Sequence, residues 1–234
     1  MKKFCIYFSF LFFSVSCFAN DYKTTVEYRH EYRDGSKKQT DRFKVFLDTG
    51  ENVGFEFDAR YGNKDDKAFD ATYLSGSELN VFYYTDIMSN TILLTGNSFD
   101  FSPDGVVYVP FVRLNYNFDN GFRINGRYKW KIWDYGMEGD NHKNYHSKIQ
   151  QFDAFIGYKT EYFDFEYELD LFMEMASNAL PQYNNKKWDY ENNLRFLYNA
   201  NKNWRPFIEI GDIRESRYNH ERQIRYRIGL KYTW

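Results

Sequence analysis

Cysteine is nearly absent from this 234-residue chain, and the two that occur, Cys5 and Cys17, stand in its first 19 residues. Met1-Lys2-Lys3, an apolar run from Phe4 to Val15 and then Ser16-Cys17-Phe18-Ala19 make a charged start, a short greasy core and small residues before a cut. That pattern predicts a signal peptide over 1–19, cleaved after Ala19, and one domain over 20–234. A second reading, with Cys17 acylated, stays open, although Ser14 stands where such signals carry Leu. Cleavage after Ala19 leaves no cysteine, which excludes disulfides and thiolate metal sites. Long apolar runs are also missing. Nothing after the leader approaches 20 apolar residues, so membrane-spanning helices are excluded. An excess of positive charge is missing too. Of 31 basic residues, loss of Lys2 and Lys3 leaves 29 against 33 acidic ones, a net charge near −4. Any preference for an anionic partner must therefore come from where the charges sit. No nucleic-acid partner and no cofactor are expected.

Aromatic residues are abundant: 24 Phe and 22 Tyr, 22% of the chain with Trp included. The sequence ends Arg222-Gln-Ile-Arg-Tyr-Arg-Ile-Gly-Leu-Lys-Tyr-Thr-Trp234. Alternate residues of a strand face opposite ways, so Ile224, Tyr226, Ile228, Leu230, Tyr232 and Trp234 form one greasy face. Gln223, Arg225, Arg227, Gly229, Lys231 and Thr233 form the other. The same period of two recurs over Tyr22–Arg33, Arg42–Asp48, Val53–Tyr61, Ser77–Thr85, Asn90–Thr95, Val107–Tyr116, Phe122–Trp133, Lys148–Tyr158, Phe163–Glu174, Lys187–Tyr198 and Trp204–Ile210. With the last stretch these make twelve strands. Pro110 has no amide hydrogen and requires a bulge or a break in the ladder.

Short gaps such as Thr49–Asn52 and Asn117–Gly121 alternate with long polar ones: Asp34–Asp41, Gly62–Gly76, Gly96–Val106, Asp134–Ser147, Ala176–Lys186 and Gly211–Glu221. Short turns at one end and long loops at the other are the pattern of an outer-membrane barrel. The expected fold is thus an all-β, antiparallel, twelve-stranded transmembrane barrel with both termini periplasmic. A soluble β-sandwich would have to bury Arg123, Arg127, Lys129 and Lys131 on the inner face of one strand, which is prohibitive, whereas a water-filled lumen accepts them. Trp130, Trp204 and Trp234 are expected among the lipid-facing or interfacial aromatics. Strand placement also sorts the charges. Arg113, Arg123, Arg127, Lys129 and Lys131 fall on strands six and seven; Arg225, Arg227, Lys231, Arg29, Arg33, Arg42 and Lys44 fall on strands twelve, one and two. Closing a ring of twelve sets these two basic tracks opposite each other, with acids such as Glu56, Asp58, Glu166, Glu168 and Asp170 mainly between them. Guanidinium forks suit carboxylates, so a uronate or sialate could pass along a track.

Three sets of segments carry a family resemblance. They are Val109-Pro-Phe-Val-Arg-Leu-Asn-Tyr116 leading into Gly126-Arg-Tyr-Lys-Trp-Lys131; Asn185-Lys-Lys-Trp-Asp-Tyr-Glu-Asn192 with Arg205-Pro-Phe-Ile-Glu209; and Tyr226-Arg-Ile-Gly-Leu230. In this order and spacing the chain resembles the oligogalacturonate-specific porins. That resemblance implies a monomeric twelve-stranded porin for acidic oligosaccharides, with basic lumen positions at Arg113, Arg127 and Lys129. The expected surroundings are outer-membrane lipid, with the barrel-assembly machinery recognising the strand that ends at Trp234. An alternative function is a non-conducting barrel acting as an adhesin or receptor through its long loops. Enzymatic readings find little support. Of the four histidines, His142, His146 and His220 fall in predicted loops and His30 near a strand end, and neither a catalytic nor a metal site is expected.

Overall fold

A computed structural model describes residues 22–63, 68, 71–103, 105–133, 137–138, 144–145 and 147–234. The leader, and with it Cys5 and Cys17, lies outside the described residues, as do His142 and His146. Twelve strands follow one another antiparallel: β1 Lys23–Arg33, β2 Gln39–Asp48, β3 Val53–Gly62, β4 Tyr73–Met88, β5 Thr91–Ser102, β6 Gly105–Asn117, β7 Phe122–Trp133, β8 Lys148–Lys159, β9 Phe163–Glu174, β10 Trp188–Tyr198, β11 Trp204–Arg214 and β12 Arg222–Thr233. Each pairs with its neighbours in sequence, and β12 returns to β1, closing the barrel. The seam runs in register from Thr25↔Thr233 to Arg33↔Arg225. Beyond it, Trp234 N donates to Thr24 O at 3.1 Å and Thr24 N to Trp234 O at 3.3 Å. A closed ladder leaves no unpaired sheet edge, the condition for a β-structure to stand in lipid. A two-stranded ribbon, Met137–Glu138 with Asn144–Tyr145, stands in the β7–β8 connection.

Alternation sorts the residues as the period of two predicts. On β7 the outward set includes Phe122, Ile124, Tyr128 and Trp130, all exposed, while Asn125 is buried on the inner face. Trp130, Trp204 and Trp234 face outward and are exposed. Near the seam Tyr232 lies 4.5 Å from Trp204 and 5.6 Å from Trp234, ring centre to ring centre, as part of an aromatic belt. His30 is also outward, bound through Nδ1 to Asp41 at 2.9 Å, and Asp41 accepts the Tyr28 hydroxyl at 2.6 Å.

Two strands run well beyond their expected ends. β4 extends to 16 residues and β5 to 12, so Gly96–Val106 is mostly strand rather than a long loop. Outward Thr95 and Asn97 interrupt the greasy period of β5, and inward Phe82 and Leu94 blur the contrast between faces, which hides both strands from a pattern search. The β6–β7 ladder stops after Tyr108↔Ile132 and resumes at Phe111↔Lys129 in unchanged register, so Pro110 occupies a break in the ladder rather than a bulge.

The β6–β7 turn depends on one glycine. Gly121 has φ +88°, and a Cβ there would sit 2.4 Å from Lys159 O. Gly126 has open space around its Cβ direction. Gly121→Ala is therefore expected to lower stability by about 1–3 kcal/mol, and Gly126→Ala by far less, as read from urea unfolding in detergent micelles. Equal midpoints for the two variants would contradict the turn geometry.

Candidate functional site

The barrel encloses a cavity of about 880 Å³ lined by residues of all twelve strands. It runs from Lys23 and Arg205 at one end to Gln182 and Arg217 in the loops at the other. Of the predicted track residues, Arg29, Arg42, Lys44, Arg113, Arg127, Lys129, Lys131, Arg225, Arg227 and Lys231 line it. Arg33 and Arg123 share the inward alternation but do not border the cavity. Arg33 is bound to Glu31 at 2.7 Å, and Arg123 to Asp164 at 2.7 Å and Glu166 at 3.0 Å.

The acids are not confined to the gaps between the tracks. They are threaded into them. On one side Lys231 meets Glu27 at 3.0 Å, Arg227 meets Glu31 at 2.7 Å, Lys44 meets Glu56 at 2.8 Å, and Arg42 is bound to Asp58. On the other, Asp153 receives Arg127 at 2.7 Å and Lys129 at 3.3 Å. Glu209 bridges Arg227 and Arg195, the latter at 2.5 Å. Removing charges from bulk water into a walled lumen is costly unless partners satisfy them, and cross-strand pairing supplies those partners.

Of the track cations that line the cavity, Arg29, Arg113 and Lys131 differ from the rest, and Lys131 stands over the Phe172 ring, 5.3 Å from its centre. Among the described residues, neither Arg29 nor Arg113 has a carboxylate within ion-pair distance. Arg29 Nε has no hydrogen-bond partner and lies in register with another cation, Arg42. Arg113 Nε donates to the Asn115 amide oxygen at 2.7 Å, and its guanidinium stacks 4.8 Å from the centre of the Phe155 ring. They stand on β1 and β6, five strands apart in a ring of twelve. Sequence reasoning singled out both positions. It missed Arg195, because Asn192 and Asn193 blur the greasy-polar contrast on β10, and it missed the aromatic residues that face inward.

The loops 175–187 and 215–221 clasp one another at the cavity's end. Asn185 N donates to Arg217 O at 3.0 Å, and Arg217 Nη1 to Pro181 O at 3.0 Å. Arg222 is held between the Tyr190 and Tyr183 rings, at 3.9 and 5.2 Å, and pairs with Asp189 at 3.2 Å. Burial and the neighbouring Arg214 lower the Arg217 pKa from its ordinary value. Among the described residues there is no cluster of three or more metal-ligating side chains.

A closed, lipid-faced barrel around a charged, water-accessible lumen is an outer-membrane channel. The chain belongs to the oligogalacturonate-specific porin (KdgM) family, matching it over residues 13–234. It is 27% identical to the uncharacterized protein YiiY of Salmonella typhimurium over 223 residues, 92% of each chain. It is 23% identical to the oligogalacturonate-specific porin KdgM of Dickeya dadantii over 232 residues, 92% of this chain and 93% of that one. It is 26% identical to the N-acetylneuraminic acid outer membrane channel protein NanC of Escherichia coli over 217 residues, 89% of each. The NanC porin structure superposes with a TM-score of 0.77 at 20% identity, covering 88% of this chain and 98% of that one. Family membership makes the chain a channel protein rather than an enzyme.

The ion pairs make a stability prediction. Glu209 is 1% exposed and holds two guanidinium groups. Glu209→Gln takes one carboxylate from each, leaving Arg227 on Glu31 at 2.7 Å and Arg195 with only Glu166 at 4.0 Å, and is expected to cost about 3 kcal/mol, the low end for breaking a buried pair, seen as a lower urea midpoint for the detergent-folded barrel. A change of only about 0–1 kcal/mol, the range for exposed pairs, would show that lumen water replaces the carboxylate.

Proposed function

We propose that this chain is a monomeric, passive, anion-preferring porin for acidic oligosaccharides of the uronate or sialate class. In this reading its termini face the periplasm, its leader is removed after Ala19, and its last strand is the assembly signal. The observation that carries the proposal is the pair Arg29 and Arg113, two track guanidinium groups on distant walls with no carboxylate partner among the described residues. Paired cations present little net field to a passing solute, whereas an unpaired guanidinium in a low-dielectric wall presents most of its charge. A carboxylated sugar exchanges its water for guanidinium forks, and several weak sites in series permit exit as well as entry. The relatives KdgM, an oligogalacturonate-specific porin, and NanC, an N-acetylneuraminic acid channel, support this class of solute.

The paired majority of the lumen cations sets the size of the expected effect. In planar bilayers at low salt, Arg29→Gln with Arg113→Gln should move the reversal potential toward zero and slow uptake of galacturonate oligomers into liposomes at least about tenfold, the effect of one charge-assisted hydrogen bond of about 1.5 kcal/mol. Arg33→Gln with Arg123→Gln, both ion-paired and off the cavity, should change each far less. Equal effects of the two pairs would refute the role of unpaired charge. A wild-type barrel that conducts nothing would instead favour an adhesin or receptor acting through its loops.

A further inference from the structure

The lumen contains aromatic surface that its ion pairs do not use. Phe155 lies beneath Arg113 and Arg127, Phe172 beneath Lys131, and Phe207 beneath Arg195 and Lys231, so each of these rings already serves as a cation's platform. Phe46, Phe82 and Phe111 also line the cavity, with Leu94. Among the described residues no cation lies over any of these three rings. Phe46 and Phe82 are stacked, their centres 5.8 Å apart and their planes 21° from parallel.

The backbone makes room for this arrangement. Phe82 stands in register between Gly54 on β3 and Gly96 on β5. A Cβ on Gly54 would come within 2.3 Å of the Phe82 ring, and one on Gly96 within 2.7 Å of Phe82 Cβ. The two missing side chains let the ring lie along the wall instead of projecting across the pore. The cross-strand row continues from Gly96 to Phe111 and ends on Lys129; the adjacent row runs from Leu94 to Arg113 and on to Arg127. At the other flank Phe46 lies two residues from Lys44, which lines the same cavity. The apolar patch thus spans the wall between the two basic tracks and touches both.

We propose that Phe46, Phe82, Leu94 and Phe111 form a binding platform for the apolar face of a pyranose ring in an acidic oligosaccharide. The proposal rests on the acidic-oligosaccharide reading above. A uronate chain carries carboxylates along its edges and C–H-rich faces on its rings. An electron-rich aromatic face attracts such polarised C–H groups and excludes water from them. With its carboxylates on the flanking cations, a sugar chain would lay its rings on the platform, a match that small inorganic anions do not have. The platform therefore distinguishes sugar acids from simple anions, which the arginines alone do not.

The test uses the full-length barrel in planar bilayers with tri-galacturonate as the blocking probe. The double variant Phe46→Leu with Phe82→Leu keeps apolar bulk and loses both planar faces, while Phe82→Tyr keeps its face. The expected result is an about three- to tenfold higher half-blocking concentration for the double variant. KCl reversal potential should be unchanged, and Phe82→Tyr should stay close to wild type. Equal block of wild type and double variant, at unchanged reversal potential, overturns the platform and leaves the acidic-sugar reading standing. A shifted KCl reversal potential in the double variant also overturns it, because the rings would then be shaping the pore for every ion. A wild-type channel that tri-galacturonate does not block overturns both.

Discussion

Everything in this molecule depends on closing a hydrogen-bonded ladder upon itself. In hydrocarbon an unpaired backbone amide or carbonyl has no water to turn to, so the first and last strands must meet. Here β1 and β12 meet along nine register pairs, from Thr25↔Thr233 to Arg33↔Arg225. Closure fixes the alternation: one face of every strand goes to lipid and the other to a shared interior. The high Phe and Tyr content and the low overall hydropathy then follow together, since greasy residues are needed only at every second position.

The second constraint is electrostatic and follows from the first. An interior ringed by a low-dielectric wall cannot hold a dense set of cations unless they are compensated. The register places Glu27, Glu31, Asp58, Asp153 and Glu209 beside basic neighbours, and with other acids such as Glu56 they hold most of the track cations. Pairing stiffens the wall and keeps it hydrated. It also silences much of the charge, so in the proposed function the selectivity rests on the few groups left over. Among the described residues Arg29, Arg113 and Lys131 are those groups on the two tracks, Lys131 resting on Phe172, and the uncovered rings on β2, β4 and β6 are their apolar counterpart.

The fold was largely legible in the chain, because alternation in β1, β7, β9 and β12 is strict and each outward face is mostly aromatic or aliphatic. Legibility fell where faces were chemically mixed. Outward Thr95 and Asn97 and inward Phe82 and Leu94 concealed the full lengths of β4 and β5. The lining positions of the tracks were readable from parity alone. Their pairing was not, because it depends on register between strands: Arg127 meets Asp153 across a connection of 14 residues between Trp133 and Lys148. Which cation keeps its charge unshared is a property of three dimensions. The same holds for the aromatic platform, whose rings come from three non-adjacent strands and rely on glycines of two others.

Net charge and placement predict opposite selectivities, so the direct measurement is the wild-type reversal potential across a KCl gradient, taken at low and at high salt. Charge exposed on the pore wall gives a preference for chloride that shrinks as the Debye length falls from about 30 Å at 0.01 M to about 3 Å at 1 M. A preference for potassium, or a reversal potential of zero at low salt, would mean that the acids dominate the lumen and that Arg29 and Arg113 do not set its field.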